Sequence, residues 1–246
     1  MKKVWKKIRR NSMLLLLMFA LCGMGIRVAL SNADSYNPEA LPTVAQTNGK
    51  DIVFILDAGH GGMDGGCSSA EGVPEKGINL NIMLALRDWL EAFGYRVEVT
   101  RDTDRSIHDQ GIEGIANQKS SDMDNRLALF NKYDNAVCIS IHQNQFTDTK
   151  YSGAQMFYAN TNCESERLAQ SLQTQFHEQL QPQNNREIKL CGSELFLCYY
   201  CENPTVMVEC GFLSNPDEAA LLTTEEYQYK VAFTIFSGIQ GWLTKR

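Results

Sequence analysis

The chain has 246 residues, enough for one α/β domain, and its 43% hydrophobic and 21% charged residues argue against a disordered protein. Seven of the 23 Lys and Arg residues lie within residues 1–33, which hold no Asp or Glu. Residues 34–246 therefore carry 16 basic against 29 acidic groups, a net charge of −13. Phosphate backbones repel so acidic a body, which argues against nucleic acid as a partner.

The chain begins with a basic segment that is followed by an apolar one. The stretch MKKVWKKIRR is strongly positive, and Met13–Ile26 is an apolar run whose length suits a signal peptide. Extending this run to Leu30 includes Arg27, and the longer segment suits a membrane anchor near the interface. We therefore predict that residues 1–33 are a signal peptide or a retained N-terminal membrane anchor. Both alternatives export the protein.

Residues 34–50 are polar, contain two prolines and show no periodicity, which predicts a linker to a domain at residues 51–246. Within the domain, apolar or alternating runs predict strands at Asp51–Asp57, Tyr95–Thr100, Ala136–Ile141, Ala154–Ala159, Glu194–Cys198 and Thr205–Val208. Hydrophobic residues at helical spacing predict helices at Asn79–Phe93, Asp124–Tyr133, Glu164–Leu180 and Glu225–Leu243. Residues Asp102–Ser121 are predicted to be a long polar loop. Strands that alternate with helices predict a single α/β domain, with a mostly parallel sheet and helices on both faces.

Seven cysteines follow residue 33, an odd number for an exported protein, in which cysteines usually pair. Cys138 and Cys210 lie in predicted strands, where a free cysteine packs as a small hydrophobic residue. We expect reduced thiols, as in an organism that lives without oxygen. The alternative is a disulfide or a second metal site drawn from Cys163, Cys191, Cys198 and Cys201.

Two histidines follow strands that we expect to be neighbours in the sheet. His60 lies in DAGHGG after the first strand, and His142 lies in SIHQN at the end of the third. The carboxyl ends of parallel strands meet at one edge of a sheet, where sites form. Neutral imidazoles and carboxylates are the ligands of catalytic zinc, which takes three protein ligands and keeps one open position. We therefore predict a Zn²⁺ site there, whereas His108 and His177 lack such a setting and are expected to be structural or surface residues.

The third ligand of such a site should be an acid. Glu75 lies between a glycine-bearing loop and a helix and could reach back to the sheet edge, but Glu71 and Asp64 are rivals on position alone. Glu209 ends the apolar run of the last strand, which favours a carboxylate aimed into a cleft over a solvated one. Asp57 is a candidate for hydrogen bonding to the imidazoles.

Six motifs carry a resemblance to a known enzyme family. They are LDAGHGGMDGG (56–66), EKGINL (75–80), TRDTD (100–104), SIHQN (140–144), SGAQMFY (152–158) and VECGFLSNPDEAALL (208–222). Through these motifs, which cover the domain in the family's order, Ile52–Leu243 resembles the zinc-dependent N-acetylmuramoyl-L-alanine amidases of bacterial cell walls.

The resemblance implies an α/β domain that binds one Zn²⁺ through His60, Glu75 and His142, with Glu209 as the catalytic acid and base. It also implies that Asn144 lines the substrate groove. The substrate would be peptidoglycan, and the reaction would hydrolyse the amide bond between N-acetylmuramic acid and L-alanine. A zinc carboxypeptidase acting on wall peptides, an inactive wall-binding module and a cysteine hydrolase using Cys67 or Cys210 are the alternatives.

Within this family, the chain most resembles the germination-specific amidases of the spore cortex. The resemblance rests on the anchor-like N terminus, the lack of a wall-binding repeat and the stretch GIEGIANQKSSDMDNR. It implies a first step towards muramic-δ-lactam, at the outer face of the membrane, in the intermembrane space of the forespore or in the cell wall. We also expect an accessory protein as a partner, and the membrane as well if residues 1–33 are retained.

Overall fold

Six strands form one sheet in residues 51–246, the part of the chain that the computed structural model describes. The strands are β1 (Val53–Ala58), β2 (Arg96–Val99), β3 (Ala136–Asn144), β4 (Gln155–Tyr158), β5 (Lys189–Leu190) and β6 (Thr205–Phe212). Their order across the sheet is β2-β1-β3-β6-β4-β5. All neighbours run parallel except β4 and β6, which are antiparallel. The predicted mostly parallel sheet is thus confirmed.

Six α-helices accompany the strands within residues 51–246. They are α1 (Glu75–Ala92), α2 (Ile115–Phe130), α3 (Cys163–Gln175), α4 (Phe196–Tyr200), α5 (Pro216–Leu222) and α6 (Glu225–Leu243). A π-helical turn, Phe176–Leu180, continues α3. Three of the helices begin at side chains that accept backbone N–H groups: Asn162 before α3, Asn215 before α5 and Thr224 before α6.

The helices cover both faces of the sheet, as predicted, because alternate residues of each central strand point to opposite sides. Phe54 and Ile139 lie in the larger core, which also contains buried residues of α1, α3 and α6. Ile55 and Cys138 point the other way and pack with Phe130 of α2 and with α4. Burial of each such aliphatic or aromatic side chain contributes roughly 1.5–3 kcal/mol.

Several predicted boundaries are wrong. Helix α1 begins at Glu75, four residues before the predicted Asn79. Helix α2 begins at Ile115, within the predicted loop Asp102–Ser121, and ends at Phe130 instead of Tyr133. The buried side of α2 includes Asp122 and Arg126, so hydrophobic periodicity does not reveal it.

The predicted strand Glu194–Cys198 is also wrong, because α4 occupies Phe196–Tyr200. A short apolar run such as FLCYY suits a buried strand or a buried helical turn equally well. Strand β5 and helix α5 were not predicted. The signal for α5 is present in the sequence, since Asn215 precedes a proline at the first helical position.

All seven cysteines of the described region are free thiols, and Cys138 and Cys210 are fully buried in strands, as expected. None of the helices within residues 51–246 is long and apolar enough to cross a membrane. The predictions for residues 1–33 and for the linker 34–50 lie outside the described residues.

Candidate active site

The three predicted metal ligands meet at the carboxyl edge of the central strands. His60 lies two residues beyond β1, His142 lies near the end of β3, and Glu75 is the first residue of α1. Their ligand atoms all lie within 4.8 Å of one another. His60 Nε2 is 2.5 Å from Glu75 Oε1, and the two imidazole centroids are 5.0 Å apart. Two imidazoles and a carboxylate at this separation form a candidate metal site.

Backbone hydrogen bonds hold the Glu75 carboxylate in place. Its Oε1 accepts the N–H of Cys67 at 3.2 Å, and its Oε2 accepts the N–H of Gln143 at 2.8 Å. The residue is only 3% exposed. Burial acts to raise the pKa of Glu75, but the hydrogen bond from His60 and the charges of His142 and His60 outweigh it and lower that pKa. Glu75 is therefore ionised, as a metal ligand must be.

Asp64 fixes the orientation of the His60 ring. His60 Nδ1 lies 2.9 Å from Asp64 Oδ2, which leaves Nε2 facing Glu75. Asp64 also pairs with Lys119 at 3.0 Å. Burial acts to raise the pKa of Asp64, but hydrogen bonds from His60 and Lys119 lower it to about 2. Neither rival of Glu75 belongs to the cluster of His60, Glu75 and His142. Asp64 contacts the His60 ring from outside this cluster, and Glu71 is exposed.

Asp57 does not hydrogen bond to an imidazole, contrary to expectation. Its carboxylate accepts hydrogen bonds from Thr100 at 2.8 Å, Ser140 at 2.6 Å and the Arg126 guanidinium at 2.6 Å. These donors lie on β3, on α2 and beside β2, so both oxygens of the carboxylate accept hydrogen bonds from groups other than an imidazole. Arg126 Nη2 in turn donates to the backbone oxygen of His60 at 2.7 Å, so Asp57 supports the ligand loop indirectly.

Glu209 lies on β6 opposite His142 in the β3–β6 ladder. Its Oε2 atom is buried and has no hydrogen-bond partner within residues 51–246. Burial and the nearby negative charge of Glu75 raise the pKa of Glu209 to about 8, although His60 opposes the shift. A buried, unpaired carboxyl group beside three ligand atoms is suited to proton transfer.

Asn144, the predicted groove residue, ends β3 at the same edge of the sheet. Its backbone oxygen accepts the N–H of Leu213 at 2.8 Å, which ties the end of β3 to the segment after β6. The two remaining histidines lie outside the site, as expected: His108 Nδ1 is 2.8 Å from the Ser106 hydroxyl, and His177 Nδ1 is 3.2 Å from the backbone oxygen of Asn184.

Two ligands rest against glycines. A Cβ atom at Gly59 would overlap the imidazole of His142, and one at Gly66 would overlap the carboxylate of Glu75. His60 itself has φ +63°, in the left-handed region that residues with side chains seldom adopt. Gly59 and Gly66 are therefore required by close packing against His142 and Glu75.

Several supporting residues were not predicted from the sequence. Arg101 is fully buried and donates to four backbone oxygens. Three of them, those of Ala58, Gly59 and Lys76, join the ligand loop to the start of α1. The motif TRDTD contains Arg101, but only the fold reveals that its side chain points inwards.

Comparison with known proteins identifies the family. Residues 54–241 match the family model described as N-acetylmuramoyl-L-alanine amidase. The chain belongs to this amidase family. It is 35% identical over 216 residues to the germination-specific N-acetylmuramoyl-L-alanine amidase of Bacillus subtilis strain 168, covering 88% of this chain and 87% of that protein.

Solved amidase structures share the fold. The CwlD amidase from Clostridioides difficile, solved in complex with the GerS lipoprotein, is 37% identical with a TM-score of 0.76, covering 79% of this chain and 99% of that one. An N-acetylmuramoyl-L-alanine amidase from Clostridium difficile 630 is 27% identical with a TM-score of 0.67, covering 80% of this chain and 99% of that one. The predicted α/β fold, the family and the amidase activity on peptidoglycan are thereby confirmed.

Proposed function

We propose that this amidase uses zinc to hydrolyse the bond between N-acetylmuramic acid and L-alanine in spore-cortex peptidoglycan, as the first step towards muramic-δ-lactam. In this proposal His60, Glu75 and His142 hold the metal, and Glu209 carries the protons. The observation that carries it is the meeting of two imidazoles and a carboxylate within 4.8 Å, beside the unpaired carboxyl group of Glu209.

The donor set fits zinc. Two ring nitrogens and one carboxylate are a common ligand set of catalytic zinc, and the fourth position stays open for water or substrate. The ionised Glu75 and the Asp64 contact to His60 Nδ1 are features expected around a bound cation. Bound zinc would supply a water molecule with its pKa lowered towards about 7 and a positive charge that polarises the amide carbonyl.

Glu209 is assigned the proton transfers. In its ionised form, which the positive charge of a bound metal ion would favour, its Oε2 takes a proton from the attacking water and delivers it to the departing nitrogen of L-alanine. Because this oxygen has no hydrogen-bond partner within the described residues, no competing donor must be displaced first. Asn144, at the end of β3, is assigned to the groove that receives the substrate.

The place of action rests on sequence similarity. The relative from Bacillus subtilis is named as germination-specific, which supports a role in the spore cortex. The complex of the neighbouring CwlD amidase with a lipoprotein supports an accessory protein as a partner here. With residues 1–33 as a signal or anchor, the enzyme would act at the outer face of the membrane, in the intermembrane space of the forespore or in the cell wall.

The alternatives are less well supported. The donor cluster and Glu209 are both present, which disfavours an inactive wall-binding module. Burial raises the pKa of the Cys67 and Cys210 thiols well above the usual range, so neither is a thiolate that could act as a nucleophile. A zinc carboxypeptidase would use the same ligands and differs in its products.

Mass spectrometry of peptidoglycan fragments tests the proposal. After incubation with the zinc-loaded full chain, we expect muramic acid without peptide together with stem peptides that begin at a free L-alanine amine. The Glu209→Gln variant is the matched control and should release both products about 10²–10⁴-fold more slowly. Stems shortened at their carboxyl ends would identify a carboxypeptidase instead, and bound but uncleaved fragments would identify a binding module.

A further inference from the structure

Arg186 lies at the same edge of the sheet as the candidate site but is not one of its predicted residues. It belongs to the loop between the π-helical turn and β5, and its side chain is half-buried. The guanidinium carbon lies 4.5 Å from the ring centroid of Phe212 and 5.9 Å from that of Tyr151. Its Nε donates to the backbone oxygen of Ser152 at 2.7 Å. These contacts hold the group in a fixed position.

Gln155 neighbours both Arg186 and Glu209. In the antiparallel β4–β6 ladder Gln155 is the direct partner of Glu209, so both side chains lie on the same face of the sheet. Neighbouring strands are about 4.8 Å apart. Arg186 Nη1 donates to Gln155 Oε1 at 3.2 Å, and Gln155 is only 4% exposed. The guanidinium is therefore one side chain away from the carboxyl group assigned to proton transfer.

Arg186 forms no ion pair within residues 51–246, although Glu218 is near enough for the positive charge of Arg186 to act on its carboxyl group. Within residues 51–246, no carboxylate oxygen lies within 4.0 Å of its nitrogens, and its Nη2 makes no hydrogen bond. Five other arginines of this region have such a carboxylate partner: Arg87, Arg96, Arg105, Arg126 and Arg167. The nearby Glu218 accepts the N–H groups of Gly153 and Phe212 instead. A fixed, unpaired guanidinium beside a reaction centre is suited to binding an anionic group of the substrate.

We propose that Arg186 binds a carboxylate of the stem peptide and thereby selects the substrate, an inference that rests on the proposed amidase function. In peptidoglycan the residue after L-alanine is a glutamate linked through its side-chain carboxyl, which leaves the main-chain carboxylate free. This carboxylate lies roughly two extended residues, about 7 Å, beyond the scissile bond. Arg186 likewise lies beyond Glu209 by one strand spacing of about 4.8 Å and the Gln155 side chain. Arg186 therefore binds the first free carboxylate after the scissile bond.

Two exposed rings form a wall beside this subsite. Tyr151 is 40% exposed and Phe146 is 51% exposed, and their ring centroids are 4.9 Å apart in an edge-to-face arrangement. Both lie in the loop between β3 and β4, at the edge of the sheet that holds the site. Exposed aromatic faces pack against the aliphatic parts of a peptide, so the wall complements the charge of Arg186.

The test compares two substrates that differ in one group. Glycan fragments carry identical stems whose glutamate main-chain carboxyl is either free or converted to an amide. We expect the full-length wild-type enzyme to prefer the free carboxylate. In Arg186→Gln, kcat/KM for the free-acid substrate should fall about 10- to 100-fold, which is the range expected for a lost hydrogen bond to a charged group. The value of kcat/KM for the amide substrate should change little. Arg186→Lys should restore part of the preference, because it keeps the charge without the two-pronged geometry.

The exposed Arg167 provides the matched control, since Arg167→Gln removes an arginine charge on α3 and should leave the preference unchanged. An equal loss of kcat/KM on both substrates in Arg186→Gln would overturn the assignment and indicate a structural role for Arg186. The proposed function would survive that result, because the wild type would still cleave. A wild-type enzyme that cleaves neither substrate would instead refute the proposed function itself.

Discussion

At the scale of single residues, the candidate site places two glutamates in opposite surroundings. Glu75 accepts two backbone N–H groups and contacts His60, and its pKa is lowered. Glu209 is buried beside it without a hydrogen-bond partner in the described region, and its pKa is raised to about 8. The same side-chain type thus has two opposite pKa shifts, which suit the two proposed roles of an ionised ligand and a proton carrier.

Substitution of each glutamate separates these tasks. Glu209→Gln keeps the shape of the side chain, so the variant should retain zinc while its cleavage rate falls about 10²–10⁴-fold, or roughly 3–5 kcal/mol of barrier. Glu75→Ala should lose zinc, and its cleavage rate should fall because the metal is absent. The measurement is zinc content alongside cleavage rate for both purified variants. Zinc lost from Glu209→Gln and kept by Glu75→Ala would mean that the roles are reversed.

A pair of glycines tests how closely the ligands are packed. Gly59→Ala places a methyl group where the His142 ring lies and should weaken zinc binding by about 10-fold or more. Gly77→Ala, within α1, meets no atom within 4 Å and should stabilise the helix by roughly 0.5–1 kcal/mol without changing zinc affinity. Zinc titration of both variants provides the comparison, and equal affinities would show that His142 is free to move.

The sequence predicts part of the site well. His60 lies just beyond β1, and His142 and Glu209 lie towards the carboxyl ends of β3 and β6, so their convergence at one edge of the sheet follows from the fold. Glu75 could not be separated from its rivals by position, because the start of α1 was placed four residues too late. Arg186 was not predicted because it lies in an irregular loop. Only the contacts in the folded structure show that it has no ion-pair partner.

At the scale of elements, helix α2 shows why hydrophobic periodicity does not predict every helix correctly. Its buried side carries Asp122, Arg126 and Phe130 at four-residue spacing, but two of these are charged. Arg126 donates to Asp57 at 2.6 Å and to Asp122 at 2.7 Å, and it also donates to the backbone oxygen of His60. The helix is therefore attached to the ligand loop by buried ion pairs, which a hydrophobic pattern cannot reveal.

Removal of this arginine should destabilise the domain. Arg126→Ala leaves Asp57 buried without its counter-charge, which we expect to cost about 3–5 kcal/mol of unfolding free energy. Arg87→Ala is the control, because Arg87 pairs with the exposed Asp88 and should cost less than about 1 kcal/mol. Urea unfolding of the two variants measures the difference. Similar losses would mean that the buried pair contributes no more than the surface pair.

At the scale of the whole molecule, the alternation of strands and helices was sufficient to predict the fold class and the edge that carries the site. The order of the strands and the reversed direction of β4 were not predictable, since periodicity within a segment does not identify its neighbours. That reversal is what brings Gln155, the first residue of β4, opposite Glu209.

Acid stability should depend on the buried Asp57. Burial acts to raise its pKa, but Arg126, His142 and the hydrogen bonds from Ser140 and Thr100 lower it below 3.8. A carboxyl group with a lowered folded-state pKa stabilises the fold above about pH 3.8, and this stability is lost as the pH falls through the folded-state value. Unfolding free energies of wild type and Asp57→Asn should therefore differ most near neutral pH and converge below pH 3.8. A constant difference would exclude this linkage.

His60 also bears on how such a protein can change over evolutionary time. Among the described residues it is the one non-glycine position with a positive φ, a conformation that costs roughly 1–2 kcal/mol and that glycine adopts freely. With His60 as the proposed metal ligand, natural selection for activity must maintain the histidine against a gain in stability. Once that selection is relaxed, drift at this position towards glycine or asparagine would be favoured rather than neutral. A lineage that abandons catalysis should accordingly lose this histidine early, while its hydrophobic core persists.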